Sequence, residues 1–232
     1  MRHEIKYICS EKQLFLIEQR LKAIMKKDVN QKGDSYRIRS LYFDTEEDRF
    51  LEESINGTDN RRKYRIRFYD LNEDFFRIER KDTVRNMKQK YSARVGKQDV
   101  DRVLSGEIIP ESDDELIREI RTMQMSEGMH PVAVVDYRRV AYTYPDGNIR
   151  ITLDKDISCS GRVKDFCDKN ALLVPVLPYG RHILEVKYDV IMPGYISKMI
   201  DIGDLEQVSF SKYGYSRRVI KGNGRLDDGY EL

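Results

Sequence analysis

The dominant pattern along the chain is a two-residue alternation of ionic and apolar side chains. In residues 63–69, KYRIRFY, Lys63, Arg65 and Arg67 fall on one face of an extended strand, with Tyr64, Ile66 and Phe68 on the other. The alternation recurs. Residues 2–8 set Arg2, Glu4 and Lys6 against His3, Ile5 and Tyr7, and residues 75–81 set Arg77, Glu79 and Lys81 against Phe76 and Ile78. Lys88 and Lys90 share a face in a short strand ending near Ala93. Arg150, Thr152 and Asp154 oppose Ile149, Ile151 and Leu153 over 148–155, and Glu185 and Lys187 oppose Leu184 and Val186 over 182–189. Two more strands are expected at 36–44, YRIRSLYFD, and from Pro131 through VAVVDYRRVAYTY. The PDGN turn at 145–148 makes the latter one arm of a hairpin.

Helical spacing replaces the alternation in a few places. Behind Ser10, a good N-cap, Leu14, Ile17, Leu21 and Ile24 predict an amphipathic helix to about Lys27. The acidic segment 45–54 predicts a short helix. Residues 97–128, with Val100, Val103 and Leu104 and then Leu116, Ile117, Ile120 and Met123, read as a helical insert between strand groups. Further helices are expected at 195–202 and 212–219. Turn-like residues make 158–180 the expected mobile loop, and 222–232 the expected flexible tail.

No repeat, low-complexity segment or composition shift divides the chain, so 1–232 reads as a single α+β domain with a dominant antiparallel sheet. Two arrangements satisfy the alternation. One is a sandwich whose ionic faces are solvated. The other is a closed barrel, which removes sheet edges, sends the apolar faces outward under the helices and lines the lumen with charge.

Charge and composition narrow the chemistry. Forty per cent of the 232 residues are hydrophobic and 35% charged, yet 42 Lys and Arg nearly balance 40 Asp and Glu, leaving a net charge of +2. Bulk attraction to nucleic acid is therefore not expected, and an anion site has to come from local clustering. Cys9, Cys159 and Cys167 form neither a C-x-x-C pair nor an even disulfide set, which fits free thiols in a reducing, cytoplasmic setting. His3, His130 and His182 lack ligand spacing. No signal peptide or bilayer-length apolar run is present in these residues, so work at a membrane would fall to a partner protein. Oligomeric state is left open.

A lumen crowded with Arg and Lys has to hold water, counter-charges or an anion. A polyanion suits it, because guanidinium groups bind phosphate oxygens bidentately and ammonium groups act as compact point charges. The few inward Glu side chains make sense if a divalent cation bridges them to the phosphate.

Taken in order, the motifs RHEIKY, YRIRSLYFDT, KYRIRFY, RIERK, MKQKYS, YRRVAYTYPDGNIRITLD, ILEVKY and SFSKYGYS resemble the VTC domain. This is the polyphosphate polymerase domain of the vacuolar transporter chaperone complex, within the CYTH-like triphosphate tunnel metalloenzymes. The resemblance covers nearly the whole chain. It implies a closed eight-stranded antiparallel tunnel that moves the γ-phosphoryl group of ATP onto inorganic polyphosphate with Mn²⁺ or Mg²⁺. Carried over residue by residue, it assigns Lys6, Arg139 and Lys212 to the transferring group. Arg65, Arg67, Lys81, Lys90, Arg150, Lys187 and Ser211 become phosphate ligands, and Glu185, Glu4 and Glu79 metal ligands. Two positions depart from the pattern. Arg2 stands where the wider superfamily has a further Glu, and Ser209 where polymerase members tend to have Lys. The same tunnel could instead serve a tripolyphosphatase or nucleoside triphosphatase, or a module that binds polyphosphate without turnover.

Overall fold

The computed structural model describes residues 3–85 and 87–222. Arg2 and the tail beyond Gly222 lie outside the described residues. In chain order the elements are β1 (His3–Ser10), α1 (Glu11–Lys22), β2 (Lys26–Lys27), β3 (Tyr36–Asp44), α2 (Arg49–Ile55), β4 (Asn60–Tyr69), β5 (Phe76–Val84) and β6 (Met87–Val95). There follow α3 (Lys97–Leu104), α4 (Glu115–Glu127), β7 (His130–Tyr144), β8 (Ile149–Ser160), β9 (Val174–Pro175), β10 (Arg181–Tyr188), α5 (Gly194–Ile200), β11 (Glu206–Gln207) and α6 (Lys212–Ile220).

All strands join one antiparallel sheet in the order β11, β1, β10, β8, β7, β3, β4, β5, β6, with β2 on β7 and β9 on β8. The path has two ends. Among the described residues no ladder joins β6 to β1 or β11, so the expected hydrogen-bonded barrel closure does not form. The sheet is nevertheless curled, because Glu4 on β1 meets Lys88 on β6 at 2.8 Å. Side-chain charge spans a seam that backbone pairing leaves open.

The alternation decides which face each helix covers. On the convex side Tyr64, Ile66, Phe68, Phe76 and Ile78 from β4 and β5 pack with Val100 and Val103 of α3 and Ile117, Ile120 and Met123 of α4. Ile151, Leu153, Leu184 and Val186 pack with Leu14, Ile17 and Leu21 of α1 and Ile196 and Ile200 of α5. Burying each such side chain contributes about 1.5 to 3 kcal/mol. Ser10 caps α1 in a reciprocal box, its Oγ accepting from Gln13 N at 3.2 Å while Gln13 Oε1 accepts from Ser10 N at 2.8 Å. The helix is shorter than its apolar spacing predicts. It stops at Lys22 because Lys26 and Lys27 take backbone pairing with Thr143 and Tyr142 of β7 instead.

The concave side departs further from expectation. Ile38, Val135, Tyr137 and Ile183 form an apolar patch there, and Phe210, Tyr213 and Tyr215 at and before α6 pack onto it. The last helix therefore fills one end of the curl, and the lumen is not ionic along its whole length. Asp44 holds this helix in place. Its buried carboxylate accepts from Phe50 N at 2.8 Å and Leu51 N at 3.0 Å at the head of α2, and from the Tyr213 hydroxyl.

Segment 158–180, expected to be mobile, is pinned. Phe166, Val176 and Leu177 are buried, and Arg39 Nη1 donates to the Asp165 carbonyl at 2.9 Å. No helix among the described residues is long and apolar enough to cross a membrane.

Candidate functional site

Cross-strand register assembles the charges on the concave face. Directly opposite one another stand Glu4 and Lys187, Lys6 and Glu185 (β1 with β10), Arg139 and Asp154 (β7 with β8), and Arg65 and Glu79 (β4 with β5). Opposite charges at facing positions support each other and fix the register. All of these side chains but Asp154, which lies buried behind Arg139, converge on a cavity of about 150 Å³ whose wall includes Lys6, Arg65, Arg67, Lys81, Arg139, Lys187 and Lys212 with Glu4, Glu79, Glu185 and Ser211. A larger vestibule of about 470 Å³ adjoins it, lined from β1, β4, β5, β6, the α2 end and α6, and including Arg61, Lys88, Ser209 and Arg218.

Three carboxylate clusters organise the cations. Glu79 receives Arg65 at 2.8 Å, Arg67 at 2.7 Å and Lys90 at 2.6 Å. Burial alone raises its carboxyl, but Arg65, Arg67 and Lys90 outweigh that and hold it at about 2. Asp154, fully buried, takes both Nε and Nη2 of Arg139 at 2.6 and 2.7 Å, and Lys212 at 2.5 Å. Glu185 meets Lys187 at 2.5 Å and, against the effect of burial, Lys187, Lys212, Arg139 and Lys6 hold it well below the usual carboxylate range. Nearby Glu4 pairs with Lys6 at 3.2 Å and Lys88 at 2.8 Å. Despite burial, which raises its carboxyl, Lys81, Lys6 and Lys187 hold it at about 2 against the Glu185 charge.

Glu4 and Glu79 supply an acid-limb prediction. Their folded values lie below the ordinary 4.5, so the stability they confer is complete above about 4.5 and is lost as pH falls toward 2. Acid titration of stability by circular dichroism should show a steep loss in that window, and Glu79→Gln should flatten it. An unchanged acid limb in the variant would exclude Glu79 as the source.

Most of the expected site residues thus meet at one cavity, and two stand apart from its wall. Arg150 shares the concave face, but it ion-pairs with Asp28 at 3.0 Å and lines neither cavity. Register places it opposite Lys187, and the like charge favours its turning to Asp28. Lys90 reaches the site only through Glu79.

For a divalent cation, no group of three His, Cys, Asp or Glu among the described residues is disposed to hold one. Glu79 is committed to three cations. Glu4 and Glu185 remain as two ionised, electrostatically coupled carboxylates, a donor set that fits Mg²⁺ or Mn²⁺ when phosphate oxygens and water complete the coordination. Sequence reasoning missed Asp154, Lys63, Tyr42 and Tyr137 as site members. The alternation had already put Asp154 and Lys63 on the ionic face; the signal available was their shared parity with Arg150 and Arg65.

Comparison with known proteins gives a family match and a set of similar folds. The family model described as the VTC domain matches residues 1–221. No curated protein matches the chain. Among solved structures, a candidate adenylate cyclase from Bacillus halodurans superposes with a TM-score of 0.53 at 17% identity, covering 90% of this chain and 92% of that one. The PH1819 protein from Pyrococcus horikoshii OT3 gives 0.42 at 11% identity over 87% and 85% of the two chains. The Mimivirus capping enzyme triphosphatase gives 0.39 at 11% identity over 81% and 82%. The Bacillus halodurans structure shares the fold.

Proposed function

The chain belongs to the VTC domain family, matched over residues 1–221, and from that membership we propose that it is a metal-dependent polyphosphate polymerase, transferring the γ-phosphoryl group of ATP to a polyphosphate chain. The observation that carries the reading is the small cavity, where cations from at least five strands and α6 face one another around a few ionised carboxylates. Phosphoryl transfer asks a protein mainly for in-line positioning and charge neutralisation, and no protein nucleophile is needed.

Arg65, Arg67, Lys81, Lys187 and Ser211 would hold phosphate oxygens, while Lys6, Arg139 and Lys212 bracket the transferring group. Glu185 and Glu4 would hold Mn²⁺ or Mg²⁺, which when bound neutralises phosphate charge and aligns the oxygens. Lys90 acts by balancing Glu79, and Arg150 would serve phosphate only by leaving Asp28.

A hydrolase reading has one specific observation in its favour. The unclosed seam between β1 and β6 gives water a route to the same phosphates. Incubation with ATP, a polyphosphate primer and Mn²⁺ separates the readings. Chains longer than the primer are expected. Orthophosphate without chain growth would select a tripolyphosphatase or nucleoside triphosphatase, and tight binding with no product under any divalent metal would select a non-catalytic binder.

A further inference from the structure

Besides Arg150 and Lys187, a row of three cations on the concave face breaks the opposite-charge rule. Register places Lys63 on β4 directly opposite Lys81 on β5, and Lys81 directly opposite Lys90 on β6. Like charges at facing positions destabilise a sheet. Lys90 escapes through Glu79 at 2.6 Å. Lys63 and Lys81 have no carboxylate within ion-pair distance among the described residues, although the other cations around the small cavity do.

What Lys63 does touch is Ser211, whose Oγ accepts from its Nζ at 2.9 Å and from Gly214 N at 3.1 Å. Both acceptor sites of that hydroxyl are then used, and its own O–H has no acceptor among the described residues. Lys81 has only the Glu4 charge, beyond ion-pair distance, to oppose it, and Lys63 has a hydroxyl; two lysines without a salt bridge and one unspent hydroxyl donor point to an anion. Their position is particular as well. Lys63, Lys81 and Ser211 line both cavities and so stand at their junction.

We propose that Lys63, at the junction of the two cavities, joins Lys81 and the Ser211 hydroxyl, both already given to phosphate, as a further phosphate ligand, and that it takes up a proton as a phosphate group enters. This rests on the phosphate reading above. The proton comes from water or buffer onto the Lys63 amine, and the resulting ammonium donates to the phosphate oxygen.

The surroundings support that linkage. Lys63 faces Lys81 from β5, Lys6 from β1, Arg61 and Arg65 from its own strand and the neutral Ser211 hydroxyl at the head of α6, and it shares the cavities with Lys212 and Arg218 of α6 and with one carboxylate common to both, Glu4 of β1. Burial first, and then Lys81, Lys6, Arg61 and Arg65, lower its amine to about 7. A bound phosphate supplies the missing opposite charge and restores the proton. Below about 7 the free site is already charged and nothing is taken up. Above it, binding includes a proton, so affinity falls by up to about tenfold per pH unit for one fully linked proton.

Calorimetric titration of the full chain with inorganic tripolyphosphate, in buffers of different ionisation heat, tests this at about pH 6 and about pH 8.5. The parent should take up more protons at the higher pH than at the lower. In Lys63→Arg, whose charge is permanent, binding should persist while that extra uptake shrinks to the share that Lys81, its amine lowered to about 8 by burial and neighbouring lysines, supplies, and the fall in affinity with pH becomes shallower. Lys63→Met should fold, because it removes a like charge, and should bind tripolyphosphate more weakly at the lower pH. Ligand protonation is common to parent and variants, so their difference isolates Lys63. Equal uptake and equal pH slope in the parent and Lys63→Arg overturn the proposal while phosphate binding stands. Absence of any tripolyphosphate binding by the parent overturns the phosphate reading, and this role of Lys63 with it.

Discussion

Asp154→Asn should cost about 3 to 5 kcal/mol of folding stability, the range expected when one partner of a buried ion pair is removed. The carboxylate is fully buried and is the counter-charge for both Arg139 and Lys212, whose side chains are themselves only 10% and 11% exposed. An amide keeps the shape but leaves two desolvated cations facing each other. Urea titration measures the loss. A second measurement ties the effect to charge rather than packing. Added tripolyphosphate should restore part of the stability in the variant and restore more of it than in the parent, since an anion can occupy the vacated role. A loss below about 1 kcal/mol would mean that the two cations are relieved by water, and that Asp154 is not the post on which this wall of the cavity stands.

Glu185→Gln should divide binding from turnover. Glu185 is nearly buried, stands opposite Lys6 in register and contacts Lys187 at 2.5 Å. Removing its charge leaves surrounding cations free for phosphate, so tripolyphosphate affinity should hold or rise. Under the polymerase reading, metal-supported turnover should fall about 10²- to 10³-fold, the scale seen when one preorganised electrostatic contact to a reacting centre is lost. The measurement is kcat against Mn²⁺ concentration beside a calorimetric affinity. The same metal dependence in variant and parent would remove Glu185 from the metal site.

Much of this architecture was written in the two-residue period. The strand at 36–44 has the observed bounds, the segment KYRIRFY lies within β4, and the ionic faces of β1, β4, β5 and β10 do turn to one cavity, whereas no side chain of β8 lines it. Parity tells which face a side chain takes and stops there. It does not tell which strand lies opposite, so Glu79 could not be seen as the shared partner of Arg65, Arg67 and Lys90, nor Asp154 as the partner of Arg139 and Lys212. Arg150 has the right parity for the cavity, yet Asp28, brought close by the short β2 pairing on β7, takes it away.

Helix α6 shows the same limit from the other side. Its spacing announces a helix at 212–219, but a helical period carries no statement about which side of a sheet the helix will cover. That Tyr213 and Phe210 enter the concave side follows from the apolar interruption at Ile38, Val135 and Ile183, which the charged positions of the neighbouring strands had overshadowed. Closure was beyond reach for a related reason. Edge pairing depends on how far the sheet curls, a global quantity that no local pattern encodes.

That missing ladder gives the molecule a gradient of local stability. β7 and β8 sit mid-sheet with neighbours on both sides, whereas β6 has one backbone partner among the described residues and is held across the gap by Glu4 and Lys88. Backbone amides in the middle are released only by global unfolding, while those along the rim exchange through small, cheap openings. Because the spanning contact is ionic and its Lys88 end is open to solvent, salt weakens it more than it weakens the apolar layers. Ionic strength thus acts as a selective loosener, widening the rim while the centre of the sheet stays shut.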